Sequence, residues 1–227
     1  QRPWLELLRT GRVPEVPPEL PPASYVAGPD WLNLLEAAPD GWAAWLHRGV
    51  ARWAAGDERG ARDAWRHSLE HRDNAWAARN LAAALSLAGA ANEASRNYLH
   101  AHRLRPGPGP LAVETVGALL DAGRPRTALE TLDSLDMPQG SANGHSGDSG
   151  AVSMLRLLEV RAALAVGEIG RAERILKSGL EIPNLREGEA LLHQLWRDYC
   201  AARRAAGTPL ADESLPYAYD FRMNTSD

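Results

Sequence analysis

The spacing of four glycines is the feature of this sequence that most constrains its fold. Gly56, Gly89 and Gly123 follow one another at intervals of 33 and 34 residues, and Gly167 comes later because a Gly/Ser-rich stretch precedes it. Each glycine is followed by a small residue five positions on and by a large residue four positions further. These pairs are Ala61 and Trp65, Ala94 and Tyr98, Ala128 and Leu132, and Ala172 and Leu176. Because glycine permits a tight turn and alanine lets two helices approach closely, the pattern predicts four stacked helix pairs.

Further residues give this pattern the signature of a known family. The interval is close to the ~34 residues of a tetratricopeptide repeat. Trp45 and Gly49 supply most of the W-x2-L-G motif, and Pro106 stands at the proline that ends a unit. The chain therefore resembles the tetratricopeptide repeat family over roughly residues 41–180, although the third and fourth units lack the tryptophan. The resemblance implies an all-α, right-handed solenoid whose first helices line a concave groove.

Composition divides the chain into six segments. Residues 1–40 begin with RPWLELLRTG and continue into PEVPPELPP, which predicts a short helix and an extended, proline-rich arm. Residues 41–137 hold three helix pairs, and the polar stretch 138–150 predicts a flexible Gly/Ser linker. The remaining segments are a fourth pair at 151–183, a capping helix at 184–207 and an extended aromatic tail at 208–227. No stretch alternates apolar and polar residues with a period of two, so no sheet is expected.

Charge and composition argue against several classes of function. The formal net charge of −4 gives no basic surface for nucleic acid, and no apolar run approaches the ~20 residues that span a bilayer. The single cysteine, Cys200, cannot form an internal disulfide, and no signal segment opens the chain, so we expect a cytoplasmic protein. No cofactor is expected. Because the sequence begins with Gln1 rather than methionine, we also expect a processed product or a piece of a longer polypeptide.

The stretch HSLEH at residues 67–71 matches H-x-x-E-H, the motif of inverted zinc peptidases. His67 and His71 fall between the core positions of the second helix of the first pair, where we expect them to face solvent. A zinc peptidase also needs a third ligand from another helix and a substrate cleft, and the sequence supplies neither. We therefore expect no catalytic residue and no metal site. Together with His100, one repeat later, these histidines are candidates only for weak, adventitious metal binding.

Six residues on first helices are the candidates for binding a partner in the groove. They are Trp53, Trp76, Arg79, Asn80, Arg48 and Arg52. Aromatic side chains of this kind anchor many interfaces. For the two arginines, which share one helix face, ion pairs with neighbouring acids are favoured over a binding role. The acids within reach are Asp63, Glu70 and Glu36.

The two ends carry a second resemblance. RPWLELLRTG, LREGEALLHQLW and YDFRM, with the repeats between them, are similar to the C-terminal part of certain large bacterial proteins. In those proteins a tetratricopeptide array follows an uncharacterised β-rich domain similar to galactose mutarotases, for which carbohydrate chemistry is suspected. The LREGEALLHQLW helix would cover the apolar face of the last repeat, and the aromatic tail would lie against a surface.

We therefore expect a non-catalytic scaffold that binds a partner protein, or its own upstream domain, through the groove. The alternative is a structural part of a larger carbohydrate-active enzyme whose catalytic domain lies upstream. A zinc peptidase acting through HSLEH is a remote third hypothesis. A groove filled by the chain's own arm would favour the enzyme-associated alternative, whereas an open groove would favour a free adaptor.

Overall fold

The computed structural model of the protein describes residues 2–137, 149–178, 185–216 and 219. Throughout these ranges all regular secondary structure is helical, which confirms the predicted all-α class. The helices are α1 (Arg2–Thr10), α2 (Pro29–Ala37), α3 (Trp42–Ala54), α4 (Glu58–His71), α5 (Ala75–Leu87), α6 (Ala91–Leu104), α7 (Pro110–Asp121), α8 (Pro125–Asp133), α9 (Ser149–Val166), α10 (Ile169–Lys177) and α11 (Leu185–Ala205). Within the described ranges, none of them is long and apolar enough to cross a membrane. The chain divides into two compact units, Gln1–Pro106 and Gly107–Asp227.

The first unit contains two helix pairs, α3 with α4 and α5 with α6, each joined by a short turn with a glycine. Gly56 in the first turn has a φ of 84°, a conformation that side chains strongly disfavour. Asn74 caps α5 by accepting a hydrogen bond from the Ala77 N–H at 2.8 Å, and its amide donates to the Ser68 hydroxyl at 3.2 Å. Ser68 in turn donates to the Trp42 carbonyl at 2.8 Å. These buried polar groups tie the start of α3, the end of α4 and the start of α5 together.

Positions related by the glycine spacing are buried alike in all four pairs. The small residue five positions after each glycine and the large residue four further on are at most 7% exposed. A third buried position lies seven residues before each glycine and holds Gly49, Ala82, Val116 and Val160. In the first pair this position contacts the large residue, because a Cβ added to Gly49 would overlap the indole ring of Trp65. Along the chain, the residue at this third position increases in size from glycine through alanine to valine. The large residue of the second helix decreases in size from tryptophan through tyrosine to leucine.

The N-terminal segment packs against α3. Helix α1 ends at Thr10, and Gly11 follows with a φ of 68°. Residues 11–28 form neither helix nor strand, and they lead into α2. Trp4 and Leu35 share a hydrophobic cluster with Ala51 of α3, so α1 and α2 both pack on the first repeat helix.

The second unit contains the pairs α7 with α8 and α9 with α10, followed by α11. One hydrophobic cluster joins α9 and α10 to α11, and it includes Leu157, Val160, Leu176, Leu192, Leu195 and Tyr199. The Arg171 guanidinium on α10 bonds Glu159 on α9 at 2.7 Å and Asp133 at the end of α8 at 2.6 Å. Helix α11 therefore covers the apolar side of the last pair, as a capping helix does.

The ends of the second unit are described only in part. Cys200 is buried and unpaired. Tyr219 of the tail is buried, and its hydroxyl donates a hydrogen bond to the Leu176 carbonyl. The tail residues Tyr217, Phe221 and Met223, residues 138–148 of the predicted linker 138–150 and residues 179–184 lie outside the described residues. The last two residues of the predicted linker belong to α9. Tyr219 of the tail therefore lies against α10, whereas Glu213 lies against α11, where the Trp196 indole donates to its carbonyl at 2.9 Å.

Candidate functional site

The proline-rich arm lies across α3 and α5, the first helices that the sequence predicts to bind a partner. Pro18 is the one buried residue among residues 11–28. Its carbonyl oxygen accepts a hydrogen bond from the indole Nε1 of Trp76, near the start of α5, at 3.0 Å. The Arg105 guanidinium carbon lies 4.6 Å from the centroid of the Trp76 ring, on which it stacks. Pro18 is therefore bound by Trp76, whose ring is itself held in place by Arg105.

Two valines attach the arm upstream of Pro18. Val13 and Val16 are half-buried against a hydrophobic cluster that includes Leu46 of α3 and Leu81 of α5. Within the described residues, the arm makes no backbone–backbone hydrogen bond to α3 or α5. Side chains and single carbonyl groups therefore carry its attachment.

Downstream of Pro18 the arm contacts both helices again. The Asn80 amide of α5 lies 3.4 Å from the Tyr25 hydroxyl, and the Trp4 indole donates to the Ser24 carbonyl at 3.0 Å. His47 of α3 packs against two of these groups. Its ring centroid lies 4.7 Å from that of Trp4 and 5.7 Å from that of Tyr25. Both ring pairs have the edge-to-face geometry that aromatic groups favour.

His47 is a buried titratable group beneath the arm. It is 3% exposed, and within the described part of the chain its Nδ1 has no hydrogen-bond partner. Burial lowers the pKa of His47 to about 4, because the interior disfavours the charged imidazolium. The imidazole is therefore neutral at pH 7, and it packs as an aromatic ring.

The structure places three of the predicted groove residues at or near the arm. Trp76 and Asn80 contact it directly. Trp53 is half-buried in the same cluster as Val16, with its ring centroid 6.0 Å from that of Trp65. Arg79 is exposed on α5.

Arg48 is not a surface residue, and its place among the partner-binding candidates requires correction. It is 2% exposed, and its guanidinium donates to the Leu35 carbonyl at 2.8 Å, to the Ala38 carbonyl and to the Asp40 carboxylate at 2.7 Å. The carbonyls at the end of α2 explain this position, since most of them lack intrahelical donors; Leu35 accepts one such bond, from the Ala38 N–H at 3.3 Å. Arg48 thus fastens α2 to α3, and a partner does not reach it.

Arg52 follows the ion-pair interpretation. It bonds the Glu36 carboxylate at 2.6 Å, and its Nη1 donates to the Gly60 carbonyl at 3.2 Å. The other acids considered for it pair elsewhere, Asp63 with Arg66 and Glu70 with His67. Its role is therefore to connect α2, α3 and α4.

The histidines of HSLEH lie on the exposed side of α4. His67 Nδ1 is 2.9 Å from Glu70 Oε2, and the His67 ring lies 4.7 Å from that of Trp45. His71 is exposed, and His100 Nε2 is 2.6 Å from the Asp73 carboxylate. Among the described residues, no three His, Cys, Asp or Glu side chains are grouped so that they could hold a metal ion.

A cleft in the second unit offers little chemistry. It has a volume of about 450 Å³ and is formed by the turn between α7 and α8 and the end of α9. Its ionisable residues are Arg124 and Arg126, and neither a carboxylate nor an imidazole lines it. The described lining therefore presents no general base.

The sequence does not single out three residues of the contact between the arm and helices α3 and α5. Pro18 and Tyr25 belong to the arm, and His47 of α3 carries no local signal. The proline spacing in PEVPPELPP predicts an extended ligand-like segment, so it could have identified the arm as an occupant of the groove.

The sequence matches no protein-family model, and no curated protein matches it. The resemblance to the tetratricopeptide repeat family rests on the spacing and residue types of the repeats alone.

Proposed function

We propose that this chain is a non-catalytic interaction module of the tetratricopeptide repeat type. In this proposal the helix pairs stack into a right-handed solenoid, and the first helices present a surface to an extended segment of a partner protein or of an upstream domain. The observation that supports it best is the seating of the arm on α3 and α5, with Pro18 buried and hydrogen-bonded to Trp76.

The arm shows how such a surface holds an extended chain. Valine side chains enter an apolar cluster, an indole N–H donates to a main-chain carbonyl, and an amide lies beside a tyrosine hydroxyl. A few anchors of this kind supply most of the binding energy in protein interfaces. The partner-facing residues in this proposal are Trp53, Trp76, Arg79 and Asn80.

Photo-crosslinking in the source cells tests the interaction role. A photoreactive phenylalanine derivative would replace Asn80 or Leu87 on α5, and Arg66 on the outer side of α4 would serve as the control position. Leu87 is 78% exposed, so it reports contacts that the arm does not make. We expect crosslinks to one defined polypeptide, or to another domain of the same polypeptide, from α5 positions only. Equal labelling at Arg66, or no crosslink at α5, would contradict the proposal.

The second candidate function is that of a structural part of a larger carbohydrate-active protein. The arm occupies the face of α3 and α5, and this favours the second candidate. A segment bound in the groove of its own chain can hold a repeat array in one fixed arrangement with a neighbouring domain. Immunoblotting and intact mass of the native polypeptide test this candidate. A species several-fold heavier than 24.6 kDa is its expected outcome, whereas a species near 24.6 kDa would support a free-standing module.

A further inference from the structure

The arm has the chemistry of a ligand for an aromatic surface. PEVPPELPP has prolines at five of its nine positions, and such a segment favours an extended helix without internal hydrogen bonds. In the structure the segment turns at Pro18 and Glu19, where the Leu20 N–H donates to the Pro17 carbonyl at 3.0 Å. This turn does not use the Pro18 carbonyl, which accepts from the indole N–H of Trp76. Proline has no N–H group to satisfy, and its fixed φ suits the second position of such a turn.

The receptor side of this contact is built from the repeats themselves. Trp76 is the second residue of α5, whose start is fixed by the Asn74 cap. Arg105, at the end of α6, stacks on its ring. Arg105 and Asp73 of the repeats line a cleft of about 80 Å³ beside Pro18, together with Glu19 of the arm. The repeats thus present charges of both signs beside the anchoring proline.

The contacts that hold the arm are weak enough for another segment to displace it. Its one buried residue is Pro18, and Leu20 and Tyr25 are 53% and 46% exposed. No backbone–backbone hydrogen bond joins it to α3 or α5 in the described residues. A tethered segment needs only weak contacts, because a short tether holds it at an effective concentration on the order of millimolar.

We propose that Trp76 and the adjoining face of α3 and α5 form a recognition site for proline-rich segments that turn at the anchoring proline, as residues 13–25 of this chain do. The inference deepens the proposed interaction function and rests on it: the partner supplies a segment of the same chemistry, with a buried proline at a turn. That segment displaces the arm.

Nuclear magnetic resonance of the full chain, labelled with ¹⁵N at the tryptophan indoles, tests the site. The Trp76 signal is the one that the Trp76→Phe variant lacks. The probe is a synthetic peptide of residues 12–26, and the same peptide with Pro18→Gly is its control. In the chain, Pro18→Gly loosens the arm, and Pro21→Gly makes the same change at an exposed proline.

We expect the Pro18→Gly chain to bind the natural peptide at least tenfold more tightly than the wild-type chain does, because its own arm competes less. The peptide should return the Trp76 indole signal to its wild-type position, and the Pro21→Gly chain should behave like wild type. Adding Trp76→Phe to the Pro18→Gly chain keeps an aromatic ring but removes the donor. It should weaken peptide binding about fivefold, the effect of one hydrogen bond.

Several outcomes would overturn the inference. One is equal affinity of the Pro18→Gly chain for the natural and control peptides; another is an unchanged Trp76 signal on titration. If circular dichroism shows that Pro18→Gly loses helicity, Val16→Thr, a nearly isosteric change in the arm, replaces it. A dimer that depends on Pro18 would assign the site to the arm of a second copy, and would refute a separate partner. If the peptide does not bind but the α5 positions still crosslink to a partner, only the proline-rich ligand is refuted. If neither peptide binding nor α5 crosslinks are found, the proposed function is refuted as well.

Discussion

Replacing His47 by phenylalanine should make the first unit less sensitive to acid. His47 is buried below Trp4 and Tyr25, and burial lowers its pKa to about 4 from the ordinary 6.5. Between these two pH values the unfolded chain binds a proton at His47 and the folded chain does not. Stability is therefore fully present above pH 6.5 and is lost as the pH falls from 6.5 towards 4.

The size of the effect follows from the shift. One pKa unit corresponds to about 1.4 kcal/mol, so the full shift costs about 3 kcal/mol below pH 4. At pH 5 the unfolded His47 is almost fully protonated and the folded one is mostly neutral, which costs about 2 kcal/mol relative to pH 8. Phenylalanine keeps a ring between Trp4 and Tyr25 and takes up no proton, so this loss disappears.

Urea unfolding followed by tryptophan fluorescence measures the effect. Seven of the eight tryptophans lie in the first unit, so the signal reports mainly on that unit. The free energy of unfolding is measured at pH 8 and pH 5 for the wild type and for His47→Phe, and the difference isolates His47 from His102, whose pKa burial also lowers. Val50→Ala, one turn along α3, is a control of similar kind without a titratable group. Parallel pH dependences of wild type and His47→Phe, within about 0.5 kcal/mol, would refute the argument.

Three further changes test the packing of the helix pairs, each by unfolding free energy or thermal denaturation. Arg48→Lys should cost about 2–4 kcal/mol, because one ammonium does not reach the two carbonyls and the carboxylate that the guanidinium bonds; an unchanged stability would contradict its structural role. Ala94→Trp, at a position 1% exposed, should cost about 1–3 kcal/mol or more through overpacking, and unchanged thermal stability would contradict the repeat register. Gly49→Val should strongly lower the free energy of unfolding. Adding Trp65→Leu to the Gly49→Val chain should restore at least about 1 kcal/mol of it. Additive effects of these two changes would refute a shared packing space.

The helices were predictable because their signals are local. A turn with positive φ between two helices strongly favours glycine, so the four glycines mark the turns directly, and Gly56, Gly89, Gly123 and Gly167 all have positive φ. The small and large residues that follow them lie on one face of the next helix, a regularity that the sequence shows without any tertiary information. For the same reason the short helix before Gly11 was visible in the sequence.

The candidate site was less predictable because it depends on contacts between distant parts of the chain. Trp76 was identified as an aromatic anchor, but its partner Pro18 lies 58 residues away. The spacing of Arg48 and Arg52 on one helix face predicts ion pairs with neighbouring acids or contact with a partner, not burial. The burial of Arg48 depends on the carbonyls of Leu35 and Ala38, which face it only once α2 is in place. The spacing of residues along one helix reveals neither the Pro18–Trp76 contact nor the burial of Arg48.

The departures of the repeats from their motif have a common physical explanation. The position seven residues before each glycine and the large residue of the second helix are buried in every pair, and in the first pair they touch. Glycine faces tryptophan there, whereas the last two pairs place valine and leucine in one hydrophobic cluster each, Val116 with Leu132 and Val160 with Leu176. Close packing constrains the summed volume of two such side chains more tightly than the identity of either one. Alanine or valine in place of glycine in the other three pairs, each with a smaller residue opposite, is therefore the expected result of keeping one helix crossing with different residues.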